Sequence, residues 1–171
     1  MDLQKKLSLL TQYKLWADEL TFTSVSELPE GEALKSRQTR FGNMVHTLNH
    51  VYVIDDIFKA HLTGGKHAYT ARNTETSPAF DELWRKQIEM DLWYIDYVDG
   101  LKPGQLSELV HFQFVGGGTG VMSREDMIIH VVNHATYHRG FVGDMFYQAG
   151  AVLPANDYPV FIRDARADSR R

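Results

Sequence analysis

The sequence contains no cysteine. Disulfide bonds, iron–sulfur clusters bound by its own side chains and a cysteine nucleophile are therefore excluded. Any thiol chemistry would need a thiol supplied by another molecule. An excess of basic residues is lacking too, because 18 lysines and arginines against 22 acidic residues give a formal net charge of −4. This balance argues against non-specific binding to nucleic acid or to an anionic membrane.

Long apolar runs are absent as well. No uninterrupted apolar stretch reaches the ~20 residues that span a bilayer, and the first residues lack the apolar core of a signal peptide. We therefore expect a cytoplasmic protein with no membrane partner. The chain has 171 residues, 43% of them hydrophobic and 12% aromatic, which is enough for one well-filled domain. We predict that domain over residues 1–165 and a frayed, solvated tail over residues 166–171.

Apolar residues at spacings of three and four predict four long helices. Ser77 as N-cap and Pro78 as first helical residue predict the start of the third helix, and Ser123 is placed to cap the fourth. Breaker residues, among them Gly64, define the ends. The helices are expected over about residues 2–27, 44–63, 78–100 and 124–150.

The segment between the third and fourth helices has a different pattern. Residues 111–115 are typical of a short strand, and Gly116, Gly117 and Gly118 of a hairpin turn. A short terminal helix is expected within residues 156–163. The sequence therefore predicts an all-α four-helix bundle with a small β-hairpin between helices 3 and 4.

Histidines give the strongest indication of function. His134 and His138 lie in the middle of the stripe of the fourth helix that is expected to be buried. A buried imidazole without a partner costs about 1–3 kcal/mol. Because a spacing of four places both rings on one helix face, a shared divalent metal ion would satisfy them. Core histidines with hydrogen-bond partners are the alternative, and the spacing alone does not decide between the two.

A catalytic metal usually has three protein ligands and an open position, so we expect a third ligand from another helix. His50 is the candidate, because Ile54 and Ile57 place it on a second apolar face, and His46, one turn earlier, competes with it. His130 lies at the edge of the stripe, which favours an orienting or surface role over ligation. The glutamate of the His-Glu-x-x-His protease motif is missing, which argues against that class.

Other residues near these stripes receive weaker predictions. Asn133, Tyr137 and Asn49 lie beside a stripe, where they would orient ligands or simply form its polar boundary. His61 and His67 flank the Gly64-Gly65 break and are expected to be solvated, whereas His111 is expected to be structural.

Two strings resemble the DinB family of metal enzymes. They are LNHVYVID at residues 48–55 and HVVNHATYHRG at residues 130–140, in which Asn-His-x-x-x-His-Arg-Gly is the most specific part. The segment YKLWA at residues 13–17 is similar to the opening motif of that family, and Asp157-Tyr158 also fits. The resemblance extends over nearly the whole chain.

The resemblance implies an up-down-down-up bundle, commonly a homodimer, with a zinc or nickel ion bound by three histidines. Those histidines match His50, His134 and His138. The apolar faces of the first and fourth helices are the expected dimer surface. Within the matching string, Arg139 would pair with a carboxylate such as Asp55 or Asp56, or form a surface ion pair, and Gly140 would admit another helix.

The resemblance also implies an activity on a small-molecule substrate. The wider superfamily includes metal-dependent transferases that activate mycothiol or bacillithiol, and metal-assisted hydrolysis is the close variant. The alternative is a non-catalytic, stress-induced dimer that binds a metal or ligand, for which a closed shell with His46 or His130 as fourth ligand would be typical. Direct action on DNA, which the family's name suggests, is disfavoured by the net charge of −4.

Overall fold

The chain is mostly helical, with one small sheet, and the computed structural model describes residues 2–168. A short 3₁₀ helix, Gln105–Ser107, precedes the strands. The helices are α1 Leu3–Ser26, α2 Met44–Thr63, α3 Phe80–Gly100, α4 Arg124–Gln148 and α5 Tyr158–Asp168, and the strands are β1 Leu109–Gln113 and β2 Thr119–Ser123. The predicted helices and the antiparallel hairpin between the third and fourth of them are confirmed.

Local capping explains most of the helix ends. The Ser123 side chain accepts a hydrogen bond from the backbone N–H of Asp126, as predicted, and Gly64 ends α2 with a φ of 70°. The predicted start of α3 is wrong by two residues, because Ala79 is the N-cap and α3 begins at Phe80. The Ser77 hydroxyl is not available as a cap, since it bonds to Nδ1 of His46 at 2.9 Å.

The hairpin also differs from the prediction in its bounds. The first strand ends at Gln113 instead of residue 115, and Thr119–Ser123 pairs with it antiparallel. Gly120 lies opposite Phe112, where an added Cβ would come within 2.5 Å of the phenyl ring. The predicted glycine turn is confirmed, because Gly116, Gly117 and Gly118 all have positive φ.

The long helices pack in a closed arrangement. Each of α1 and α2 contacts both α3 and α4, and α5 packs on α1. Their apolar faces meet in a buried core that includes Leu7, Val53, Met90, Tyr94 and Met127. Within the chain no helix packs closely on Gly140, because an added Cβ there would meet nothing within 4 Å.

The core also contains a layer of charged side chains to which all four long helices contribute. Lys14 Nζ lies 2.9 Å from Asp18 Oδ2 and 2.8 Å from Asp55 Oδ2, and it also contacts Asp91. Arg139 Nη1 donates to Asp18 Oδ1 over 2.8 Å. The predicted pairing of Arg139 with Asp55 or Asp56, or at the surface, is therefore wrong. Because α1 packs directly on α4, Asp18 is the carboxylate next to Arg139. Asp55 pairs with Lys14 instead.

The C-terminal part covers one side of α1. The Tyr13 hydroxyl donates to the carbonyl of Asn156 over 3.0 Å, and Phe161 of α5 packs against the Tyr13 and Trp16 rings. The backbone stays helical to Asp168, so α5 extends into the segment predicted as a tail; residues 169–171 lie outside the described residues. No helix in the described range has the length and hydropathy needed to cross a membrane.

Candidate metal centre

Three histidine rings from two helices converge at one place. His50 comes from α2, and His134 and His138 come from α4, which packs on α2. The Nε2 atoms of His50 and His134 lie 3.1 Å apart, and one ring nitrogen of each histidine lies within 4.8 Å of the other two. Among the residues whose side chains the structure describes, no other group of histidine, aspartate or glutamate side chains has this arrangement. The structure therefore brings the three predicted ligands together.

The orientation of the His50 ring follows from one hydrogen bond. Its Nδ1 lies 2.5 Å from the carbonyl oxygen of Arg72, and a carbonyl oxygen only accepts. Nδ1 therefore carries the proton, and the neutral ring presents an unprotonated Nε2 to His134. A backbone carbonyl on the far nitrogen is the usual partner of a metal-ligating histidine.

Burial keeps the three rings neutral. It lowers the pKa of His134 to about 2, helped by the nearby His138 and His50, and it lowers the pKa of His138 to about 4. Burial lowers the pKa of His50 as well, and the positive charge of Arg40 acts in the same direction. Neutral imidazole is the form that binds a metal ion.

The donor set fits a divalent ion. The Nδ1 atoms of His134 and His138 are buried and have no hydrogen-bond partner in the described structure. For His134 this leaves Nε2, which lies 3.1 Å from Nε2 of His50, as the nitrogen that would bind an ion shared with His50. Three imidazole nitrogens with one position left open are a recognised ligand set of catalytic zinc.

One wall of the site comes from a residue that the sequence analysis missed. The Phe41 ring stacks on His50 with the ring centroids 4.4 Å apart, and it lies 5.5 Å from the His138 ring. Phe41 precedes α2 in a segment without hydrophobic periodicity, so spacing offered no signal. Its position next to Gly42, a residue with positive φ, is the only local sign of a special turn.

The two competing histidines lie outside the cluster. His46 bonds to the Ser77 hydroxyl, and its backbone carbonyl accepts from Asn73. His130 packs on Phe58 with the ring centroids 4.5 Å apart. Among the described residues the cluster therefore contains three histidines and no fourth protein ligand.

The residues proposed to orient the ligands have different positions. The Tyr137 ring packs edge-on against His138 at 5.1 Å and lines the adjoining cavity. Asn133 is exposed, and Arg139 is directed into the charged core layer. A polar contact that was not predicted holds the loop before α3: Asn49 Nδ2 donates to Asn73 Oδ1 over 2.6 Å.

The site opens into a cavity of about 540 Å³. Its walls are largely apolar, and the lining residues include no aspartate or glutamate. His61, predicted to be solvated, is half-buried, because the Phe112 ring of β1 lies 5.0 Å from the His61 ring and both residues line the cavity. His67 is half-buried next to His61, whereas His111 is exposed on β1. The apolar residues of the cavity are Phe41, Ile54, Ile57, Phe58, Ala71, Phe112, Phe114 and Val115.

The fold and the site together define a class of helical proteins in which histidines from two packed helices face an open cavity. Comparison with known proteins gives the family: the model of the DinB family matches residues 3–170, and the chain belongs to that family. It is 27% identical to Protein DinB of Bacillus subtilis (strain 168) over 159 residues. This alignment covers 90% of this chain and 91% of that protein. The crystal structure of a DinB-like protein from Bacillus cereus ATCC 10987 shares the fold. The two structures match with a TM-score of 0.60 at 15% sequence identity. The match covers 85% of this chain and 94% of the Bacillus cereus chain.

Proposed function

We propose that the protein is a metal-dependent enzyme that binds a divalent ion, zinc or nickel, through His50, His134 and His138. The observation that carries the proposal is the convergence of three neutral imidazoles in the lining of an open cavity. When bound, such an ion lowers the pKa of a thiol or a water molecule at the free coordination position. Every other contribution to the reaction comes from the residues of this chain.

These side chains position the ligands and limit access of water. The Arg72 carbonyl fixes the His50 ring, and the Phe41 ring covers one side of the histidine cluster. Apolar side chains such as Ile54 and Phe58 line the adjoining space. Because an apolar wall lowers the effective dielectric constant, electrostatic interactions inside the site are stronger than in water.

The lining of the cavity favours a thiol over water as the nucleophile. It contains no carboxylate, and its two histidines outside the cluster, His61 and His130, pack against Phe112 and Phe58, which favours a nucleophile that loses its proton easily. A thiol has an ordinary pKa of about 8.5, against about 15.7 for water, and so needs the smaller shift. A transferase that uses a low-molecular-weight thiol of the mycothiol or bacillithiol type is therefore our first choice. Metal-assisted hydrolysis of a small molecule is the variant.

A non-catalytic, stress-induced metal-binding protein is the alternative. A closed coordination shell would be typical of it, but His46 and His130 are engaged elsewhere, which supports the enzyme.

For the assembly we propose a cytoplasmic homodimer of up-down-down-up bundles that meet through α1 and α4. Exposed apolar residues on these helices support this surface: Leu3, Ile129, Tyr137 and Tyr147. Light scattering at micromolar concentration tests it, since a monomeric mass contradicts the dimer.

Metal content, measured by mass spectrometry, tests the function. We expect about one equivalent of zinc or nickel in the untagged parent and none in His138→Ala. The matched control is His111→Ala, because His111 is an exposed histidine outside the cluster, and this variant keeps the metal. If the parent stays empty after supply of divalent ions, or if His138→Ala retains a full equivalent, the proposed site is wrong.

A further inference from the structure

Two arginines of the chain differ from the others in their surroundings. Seven arginines have described side chains, and five of these form ion pairs with a carboxylate: Arg37, Arg85, Arg124, Arg139 and Arg163. Arg40 and Arg72 are the two whose guanidinium groups have neither an ion pair nor a hydrogen bond to any described residue. Both line the cavity that adjoins the three histidines.

Each of these arginines is coupled to His50 by a different contact. The Arg40 Cζ atom lies 5.7 Å from the centroid of the Phe41 ring, which stacks directly on His50. The backbone carbonyl of Arg72 accepts the hydrogen bond from His50 Nδ1. Arg40 and Arg72 therefore belong to two segments that contact His50, one through the Phe41 ring and the other through a backbone carbonyl.

The cavity has two chemically distinct parts. Arg40 and Arg72 supply positive charge, and the absence of any aspartate or glutamate from the lining leaves that charge uncompensated. Apart from the histidines, Asn73 and Gln113, the rest of the wall is aliphatic and aromatic, formed by residues such as Ile54, Ile57 and Phe112. The volume of about 540 Å³ is that of a small-molecule site.

From this division we propose that the small-molecule partner of the site is an amphiphilic organic anion. Its carboxylate pairs with Arg40 and Arg72, whose planar guanidinium groups match a carboxylate with two parallel hydrogen bonds. Its apolar part contacts the wall that includes Ile54 and Phe112. This inference rests on the proposed function for the reaction, but the arginines act on the anion whether or not the ion is bound.

The test uses a matched pair of probes, 4-(4-fluorophenyl)butanoate and the corresponding amide, which differ in charge but hardly in shape. Binding is measured by ¹⁹F NMR line broadening on the full chain, in metal-loaded and in metal-free form. We expect the carboxylate to bind the parent at least about tenfold more tightly than the amide. In Arg40→Gln/Arg72→Gln the ratio falls to about threefold or less, because those guanidinium groups supply the selectivity.

The control is Arg85→Gln/Arg163→Gln. It removes the same net charge from exposed positions outside the cavity and keeps the preference of the parent. The proposal is overturned if the amide binds the parent as well as the carboxylate does, if neither probe broadens at millimolar concentration, or if the Arg40/Arg72 double variant keeps the full ratio. A parent that prefers the carboxylate but binds no metal contradicts the proposed function and supports this inference.

Discussion

Arg139 donates to Asp18 across the interface of α4 and α1, with 2.8 Å between Nη1 and Oδ1, and it directly follows His138 in the chain. Both side chains are almost fully buried, at 2% and 3% exposure. Arg139 also reaches the Tyr13 hydroxyl at 3.2 Å. The helix that supplies two of the three clustered histidines is thus fixed to α1 by a charged contact next to the site.

Replacing Arg139 by methionine should destabilise the protein strongly. The substitution keeps much of the aliphatic volume but leaves the Asp18 carboxylate with Lys14 as its remaining cationic partner. Loss of one partner of a buried pair costs about 3–5 kcal/mol. Urea unfolding followed by circular dichroism measures the change.

The control for this substitution is Arg85→Met, which removes an exposed pair with Glu89. Exposed pairs contribute about 0–1 kcal/mol, so this variant should unfold close to the parent. A stability for Arg139→Met equal to that of the control would show that the buried contact contributes nothing.

The charged layer contains two cations and three carboxyl groups, and we expect Asp91 to hold a proton. Burial raises the pKa of Asp91 well above its usual range, and the negative charges of Asp18 and Asp55 act in the same direction, against the attraction of Lys14. Asp18 is the opposite case: burial works against its charge, but Lys14 and Arg139 outweigh it and lower its pKa. Asp91→Asn should therefore be tolerated near neutral pH, whereas Asp18→Asn should cost about 3 kcal/mol or more.

The raised pKa of Asp91 also predicts the direction in which the free energy of unfolding changes with pH. A carboxyl whose folded pKa is raised contributes stability that is fully present below its unfolded pKa and is lost as the pH rises through the folded pKa. Asp91→Asn removes that loss, so its free energy of unfolding should decline less than that of the parent as the pH rises above about 4, the ordinary pKa of aspartate. Urea unfolding at a series of pH values measures both slopes, and identical slopes would contradict a protonated Asp91.

The sequence allowed the histidine cluster to be predicted because its main signal is local. A spacing of four places His134 and His138 on one face, and the apolar neighbours of His50 place it on a face of another helix. Helix starts were predictable where the cap is also local, as at Ser123. At Ser77 the prediction was wrong because a distant residue, His46, takes the hydroxyl.

The partners of charged residues could not be predicted, because they depend on which helices are neighbours. Lys14 and Asp91 are 77 residues apart and meet only because α1 packs on α3. Periodicity within one helix shows which face is buried but not what lies opposite. For the same reason the partial burial of His61 was not predicted, since it comes from Phe112 of the hairpin.

Acid should destabilise the metal-free protein through the clustered histidines. Burial lowers the folded pKa of His134 to about 2 and of His138 to about 4, below their ordinary value of about 6.5. The unfolded chain therefore binds protons that the folded chain does not, and stability falls as the pH drops from 7 toward 5. Thermal unfolding of the metal-free protein at these pH values measures the fall.

His134→Gln should reduce this pH dependence, because it removes the ring with the larger pKa shift. The exposed His111 provides the comparison, and His111→Gln should leave the slope of stability against pH as in the parent. An unchanged slope in His134→Gln would mean that its burial is not linked to proton binding.

Asn73 should control metal affinity without touching the metal. Its Oδ1 accepts from Asn49, and its Nδ2 donates to the His46 carbonyl over 3.0 Å, which ties the loop before α3 to α2. The preceding residue, Arg72, supplies the backbone carbonyl that orients the His50 ring. Asn73→Ala releases this loop, so the His50 ring loses its fixed orientation.

We expect Asn73→Ala to weaken binding of zinc by about 10–100-fold, the usual effect of losing a partner that orients a ligand. Competition with a chromophoric chelator measures the affinity. Glu75→Ala is the matched control, because Glu75 is exposed in the same loop and outside the contacts of Asn73, and it should bind zinc as the parent does. Helicity by circular dichroism should stay the same in both variants, since neither residue lies in a helix. Equal zinc affinity in Asn73→Ala and the parent would mean that His50 is positioned without the loop.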